Sequence, residues 1–299
     1  MNVREAFFYR VYEKTKEGLD IDIVSSDLGA PSLDDFRKDF PHRFVNVGIA
    51  EQNSIAIAAG LAMTGKISIT YGLNPFPVTR AYDQIRNIMA SLRVPITVAA
   101  LKAGTCTAEA GFSHIAVENI SLLRCLKNIT IICPSDETIS RLAVEEIVSK
   151  PSPRYIQFDP FIGGVLYSDN EIDFSKGYVV SGDGDVAIVA NGIWAHKIKQ
   201  DNPGVKLFDC FSLPLDKRSF VSKISQCSRV LTVEDGVAEG GLGSMILELF
   251  NDEGISIPVK RMALRFEDGY SKTFTDRETI FEHEGLTMDA VKKAVEEWS

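Results

Sequence analysis

Residues 44–63, FVNVGIAEQNSIAIAAGLAM, decide how this chain is read. One carboxylate, Glu51, stands at the head of a run of small and apolar residues. Ile49 and Ala50 precede it, and Ile55 through Met63 follow, with Gly60 and four alanines between. The pattern predicts a helix buried on most faces, whose small residues let a neighbour approach closely. A buried Glu is costly unless something pairs with it, and no cation lies within a helical turn of Glu51. Two readings stay open. Either the partner of Glu51 is not local, a ligand or another chain, or Glu51 is a first-turn carboxylate that helps satisfy free backbone N–H groups.

Outward from this helix, strand and helix signals alternate. Residues 3–17 read as a helix, 21–24 as a strand, and 25–29 as a turn-rich loop. Downstream come strands at 66–70, 95–100, 130–133 and 154–158, with helices at 81–92, 117–123 and 137–149. Apolar strands alternating with helices predict a parallel sheet covered on both faces. Residues 160–185 are rich in Gly, Asp and Ser and read as a linker with a short hairpin-like element. A second unit follows, with strands at 185–190, 206–208 and 229–233 and helices at 240–250 and 289–298. The expected fold class is α/β, two doubly wound units with mostly parallel sheets. The expected division is 1–165, a linker over 166–184, and 185–299.

Composition narrows the function classes. A net charge of −9 argues against general nucleic-acid or anionic-membrane binding. No apolar run reaches transmembrane length without polar interruption. Residues 1–14 form an amphipathic pattern rather than a secretory signal, because Arg4, Glu5, Arg10 and Glu13 interrupt it. Five cysteines without C-x-x-C spacing read as reduced thiols of a cytoplasmic protein, and this chain is expected to hold no metal.

Gly48-Ile49-Ala50-Glu51-Gln52, followed by Ala58-Ala59-Gly60-Leu61-Ala62, resembles the signature of the transketolase family of thiamine-diphosphate enzymes. In the second unit DVAIVANG (185–192) and LTVEDGVAEGGLGS (231–244) are similar to family segments. The resemblance covers the whole chain but only part of the family's usual protein, the pyrimidine-binding and C-terminal domains. Missing is the diphosphate-binding domain, which holds Mg²⁺ and the cofactor's phosphates through a G-D-G motif with an Asn some way beyond. Gly182-Asp183-Gly184 reads instead as a linker turn, since Asn191 and Asn202 follow too early or in the wrong setting. The resemblance therefore implies the small subunit of a split transketolase, moving a two-carbon ketol unit between sugar substrates. It implies thiamine diphosphate as cofactor, with Mg²⁺ held mainly by a diphosphate-binding partner subunit. It also implies self-association through the C-terminal domain and an α2β2 assembly.

The resemblance assigns residue roles as well. The family carboxylate at Glu51 hydrogen-bonds the cofactor's aminopyrimidine and favours its imino tautomer, which activates the thiazolium carbon. Ile49, Phe76 and Arg80 are the other expected cofactor contacts. Family aromatic positions fall on Asn74 and Pro77, with Phe76 one residue off, so Phe76 is either the stacking ring or core. In the stretch 102–114, Gly111, Ser113 and His114 keep the family's substrate-loop pattern, while Ala110 replaces its Asp. His114 is expected to face the substrate and assist proton transfer, against the plainer reading of a loop hydrogen bond. Ser25, Lys102 and Gln157 are the further substrate candidates. Ser25 matches a Ser near the sugar phosphate, and Lys102 stands where the family has a His. Gln157 stands where an Arg grips the phosphate, which Gln cannot do as a charged fork. Arg154 or Lys102 would have to compensate. The departures imply a substrate other than an ordinary pentose phosphate. Two further readings remain: the beta subunit of a 2-oxo-acid dehydrogenase, which shares the two-domain plan, and a non-catalytic assembly subunit.

Overall fold

The computed structural model describes residues 1–297 apart from 202–203, 268 and 271–274. Asn202 and Trp298, both named above or within a named helix, lie outside the described residues. Among the described residues, twelve strands build two sheets. In the first unit these are β1 (Ile21–Ser25), β2 (Phe44–Asn46), β3 (Ile67–Leu73), β4 (Ile96–Leu101), β5 (Thr130–Ile132) and β6 (Arg154–Phe158). Then come β7 (Val179–Ser181), β8 (Val186–Ala190), β9 (Lys206–Asp209), β10 (Ser212–Leu213), β11 (Arg229–Val237) and β12 (Val259–Leu264). The first sheet has the order β10-β5-β6-β4-β3-β1-β2 and the second β12-β11-β8-β9-β7. Every pairing is parallel except β10 with β5 and β7 with β9, both at a sheet edge. The helix Val3–Lys16 precedes β1, and helices such as Glu51–Met63 and Glu137–Ser149 connect the strands. Strands β1, β4 and β8 are buried along their whole length, as expected where both faces of a parallel sheet are covered.

The two units interlock through strand exchange. β7 lies within the stretch read as linker and forms an edge of the second sheet. β10, from the later part of the chain, closes the edge of the first sheet against β5. Gly182-Asp183-Gly184 is the turn between β7 and β8. A Cβ at Gly182 would stand 2.1 Å from the Val205 carbonyl oxygen, so the glycine is needed for backbone packing there.

Register fixes where function can sit. Ser25 pairs with Asn46 and Tyr71, Leu73 with Leu101, and Leu101 with Phe158. The loops after β1, β2, β3, β4 and β6 therefore open on one edge of the sheet, where parallel α/β sheets build their sites. Arg154 pairs with Thr97 at the opposite end of the strands. Its guanidinium is buried and spent on the carbonyls of Ser152, Glu146 and Lys150, so it does not compensate for Gln157.

Two helical expectations are corrected. The helix Glu51–Met63 is buried on one side only, through Glu51, Ser54, Ile55, Ala58, Ala59 and Ala62. Gln52, Asn53, Ala56, Gly60 and Met63 face outward, and Met63 is 78% exposed. The helix rests on β1, β3 and β4 by one flank, and its small residues give no sign in sequence of which side meets the sheet. The expected helix at 81–92 is a short turn, Tyr82–Gln84, continued by a π-helix, Ile85–Ser91. The wider winding brings Ile85 and Ala90, five residues apart, to the same buried side. No helix among the described residues is long and apolar enough to cross a membrane.

Two buried carboxyls give stability a pH slope. Asp209 accepts from Ser135 Oγ, and burial pushes its carboxyl up to about 7. Glu234 accepts from the N–H groups of Leu242 and Gly243 at the head of the helix Leu242–Glu253, yet burial pushes it up to about 7 as well. Unfolded, such groups titrate near ~4. The folded chain therefore holds more protons between about pH 4 and pH 7, and stability falls as pH rises through that window. Thermal unfolding at pH 5 is expected at a higher midpoint than at pH 8, and Asp209→Asn is expected to flatten the slope. A midpoint that climbs steadily from pH 5 to pH 8 would contradict this assignment.

Candidate functional site

The site starts from Glu51. Its side chain is 4% exposed and sits at the first position of its helix, on the loop side of β2. Its cation is Arg80, whose Nη1 lies 2.7 Å from Glu51 Oε2. Of the two readings left open, a non-local partner is the one found, and it is a cation of this same chain rather than a ligand or another chain. Arg80 lies 29 residues onward and is carried to Glu51 by the turn after β3, a contact that local sequence cannot reveal. Gln52 Nε2 donates to the Arg80 carbonyl oxygen at 3.0 Å and ties the two segments together. Glu51 Oε1 is met by no donor among the described residues.

Phe76 follows, half-buried at the start of the helical turn Phe76–Thr79. The Arg80 guanidinium carbon lies 4.3 Å from its ring centroid. His114 meets the same ring edge-on, with centroids 5.2 Å apart and planes at 85°. Ser113 Oγ and His114 Nδ1 are 2.9 Å apart. Glu51, Arg80, Phe76 and His114 thus form one chain of contacts drawn from three loops. The two positions where the family's aromatics were expected are used otherwise. Asn74 is fully buried, its Oδ1 accepting from Asn119 Nδ2 (2.9 Å) and the Tyr155 hydroxyl (3.0 Å). Pro77 packs on Gly72, where an added Cβ would fall 2.7 Å from Pro77 Cγ. Phe76 is therefore the ring that faces the site.

The other predicted residues stand apart from this group. Ile49 borders Glu51 with its side chain largely in solvent, at 74% exposure. Ser25 is buried, and its hydroxyl is bound at both ends within its own turn, donating to the Leu28 carbonyl and accepting from Leu28 N–H. Gln157 donates to Cys133 Sγ (3.3 Å), and its Oε1 lies 3.2 Å from the Tyr155 hydroxyl. It lines a small cavity between the units together with Asp159, Glu234 and Asp235. Lys102 holds a left-handed backbone (φ 70), and its Nζ lies 5.7 Å from the ring of Phe161, which is 68% exposed.

Sequence reading missed what the second unit adds beneath this edge. Arg277 reaches Asp159 Oδ2 at 2.7 Å and Asp235 Oδ2 at 3.5 Å, all three side chains being at most 7% exposed. Asp235 also accepts from Thr105 N–H and Thr105 Oγ1, and a Cβ at Gly104 would collide with its carboxylate. Burial pushes the Asp235 carboxyl up, against the pull of Arg277. The triad pins the loops after β4 and β6 to β11. The acidic Glu234-Asp235 pair was visible in sequence; its basic partner, 42 residues away in numbering, was not.

Arg80 is a flat cation that donates to Glu51 while lying over Phe76. A protonated aminopyrimidine is also flat, positively charged and an N–H donor, so Glu51 and Phe76 are chemically compatible with the ring half of thiamine diphosphate. The Arg80 side chain is 43% exposed, so its charge is in part solvated. Among the described residues, no group of three or more His, Cys, Asp or Glu side chains is placed to hold a metal ion.

Residues 1–159 match the family described as transketolase, pyrimidine binding domain, and residues 176–287 the transketolase C-terminal domain. The chain is 28% identical to one of the subunits of apulose-4-phosphate transketolase from Actinobacillus succinogenes, over 94% of this chain and 93% of that one. It is 32% identical to 1-deoxy-D-xylulose-5-phosphate synthase of Halothermothrix orenii, over 77% of this chain but 38% of the longer relative. A solved structure described as a split gene transketolase, inactive beta4 tetramer, superposes with a TM-score of 0.82 at 31% identity, covering 99% of this chain and 97% of that chain. The chain belongs to the transketolase family, as its pyrimidine-binding domain followed by its C-terminal domain.

Proposed function

We propose that this chain is the pyrimidine-binding subunit of a two-component, thiamine-diphosphate-dependent transketolase that moves a two-carbon ketol unit between sugar substrates. The observation that carries this reading is the buried Glu51 carboxylate, with one oxygen free of protein donors among the described residues and the ring of Phe76 close by. When bound, the cofactor supplies the carbon nucleophile that takes up and hands on the ketol unit. Glu51 holds the ring through a charge-assisted hydrogen bond, which is strong because water is largely excluded there. Phe76 supplies a stacking face. His114, beside the same ring, exchanges protons with substrate oxygens near neutral pH.

The diphosphate and Mg²⁺ are assigned to a separate diphosphate-binding subunit, since the two domains matched here are the pyrimidine-binding and C-terminal ones. Two further facts support a partner. The Actinobacillus relative is itself one subunit of a transketolase, and the structural neighbour is described as inactive in its beta4 form. Two chains of each kind, joined in part through the C-terminal domains, give the α2β2 form. The cytoplasm is the proposed location.

The substrate is proposed to differ from an ordinary pentose phosphate. Both Ser25 and Gln157 are engaged by neighbours within the chain, and Lys102 is an accessible cation on this edge. Steady-state kinetics of the two-subunit enzyme with xylulose 5-phosphate and ribose 5-phosphate test the point. Slow turnover is expected, and turnover at ordinary transketolase efficiency would contradict it.

A further inference from the structure

The His114 loop is held from outside by the second unit. Gly111 (φ 81) turns the chain into the short helical turn Phe112–His114, and the Phe112 ring projects away from the first unit at 45% exposure. There it meets Tyr270, with centroids 3.9 Å apart and planes at 32°. The Tyr270 hydroxyl donates to Glu118 Oε1, just beyond the loop's far end. Tyr270 therefore grips both limbs of the segment that carries His114.

Tyr270 is itself anchored. Its ring packs on Phe266 with centroids 5.1 Å apart. The N–H groups of Arg265 and Phe266 both donate to Glu284 Oε2, at 2.8 and 3.0 Å, which fixes this stretch to the helix Arg277–His283 and its C-terminal cap. A continuous set of contacts thus runs from Glu284 through Phe266, Tyr270 and Phe112 to the backbone turn of His114, and on to Phe76, Arg80 and Glu51. Around His114 the backbone restraints are local, His114 N–H to the Gly111 carbonyl at 3.0 Å and Ile115 N–H to that of Phe112 at 3.3 Å; farther on, Ala116 N–H donates to the Gly104 carbonyl at 2.8 Å and the Val117 carbonyl accepts from Val237 N–H at 3.0 Å.

We propose that Tyr270 is a positioning residue for His114, holding the 111–118 segment so that the imidazole stands against Phe76. The C-terminal unit then takes part in catalysis through one aromatic clasp, beyond its role in folding and assembly. This inference rests on the reading of His114 as a substrate-facing group. Misplacement of a reacting group by about 1 Å can cost as much as ~100-fold in rate, so a loosened loop is expected to act on kcat.

Hydrogen exchange of the assembled two-subunit enzyme tests the clasp without reference to turnover. Tyr270→Ala is expected to speed exchange at the amides of His114 and Ile115 and leave β3 and β4 unchanged. Tyr270→Phe, which keeps the ring, is expected to leave exchange in the loop close to that of the parent. Kinetics test the consequence: Tyr270→Ala is expected to lower kcat about 10-fold, and to cause no further loss in a His114→Ala background, because both changes act through one group. Unchanged exchange in 111–118 overturns the proposal. So does a loss from Tyr270→Ala that is multiplied onto that of His114→Ala. If the parent enzyme shows no ketol transfer, the function assigned above fails, while the exchange result still decides whether Tyr270 holds the loop.

Discussion

Glu51→Gln is expected to lower ketol transfer by the assembled enzyme about 10²–10⁴-fold, the range for losing a proton-transfer group, while leaving the fold in place. The substitution keeps the shape of the side chain and removes its charge. Structurally the cost is small. A buried carboxylate becomes a neutral amide, and the Arg80 guanidinium, 43% exposed, is already solvated and screened. Chemically the cost is large, because a neutral amide cannot share the proton of a charged pyrimidine ring. Circular dichroism and the thermal midpoint should stay near those of the parent while activity collapses. Full activity in Glu51→Gln would remove the carboxylate from the mechanism and favour a non-catalytic role for the chain.

Arg277→Met is expected to cost about 3–5 kcal/mol of unfolding free energy, the range for breaking a buried ion pair from one side. Asp159 and Asp235 would be left facing each other without a cation, at 3% and 6% side-chain exposure. The contrast is with the outer pairs of the chain. Arg141 with Asp169, both well exposed, should contribute no more than about 1 kcal/mol. Urea unfolding at pH 7 measures the difference. Replacing both carboxylates as well, in Arg277→Met with Asp159→Asn and Asp235→Asn, should recover much of the loss, because the penalty comes from stranded charge. A loss below about 1 kcal/mol in Arg277→Met would place the triad with the exposed pairs.

Much of the architecture was legible because its signals are local. The helix Glu137–Ser149 falls on its expected residues, and the buried strands announce themselves as short apolar runs between turn residues. Glu51 was legible for the same reason, a lone carboxylate heading an apolar segment. The outward face of its helix was not, since alanine and glycine pack against a sheet or face water with nearly equal ease. The Glu51–Arg80 pair depends on how the turn after β3 folds back. Arg277 and Tyr270 meet the first unit across 118 to 174 residues of sequence, in their contacts with Asp159, Ala103 and Glu118. Such pairings are set by the docking of two sheets, and no periodicity encodes them. The Ser25 hydroxyl shows a different case: it closes its own turn, a contact that the resemblance to the family does not reveal.

The central claim is that this chain supplies the ring half of a thiamine-diphosphate site completed by another subunit. Calorimetric titration of thiamine diphosphate with Mg²⁺ tests it most directly, first into this chain alone and then into its mixture with the diphosphate-binding subunit. Tight binding in the mixture only, lost in part with Glu51→Gln, is the predicted result. Tight binding by this chain alone would contradict a divided site, and no binding in the mixture would contradict the assignment of the cofactor.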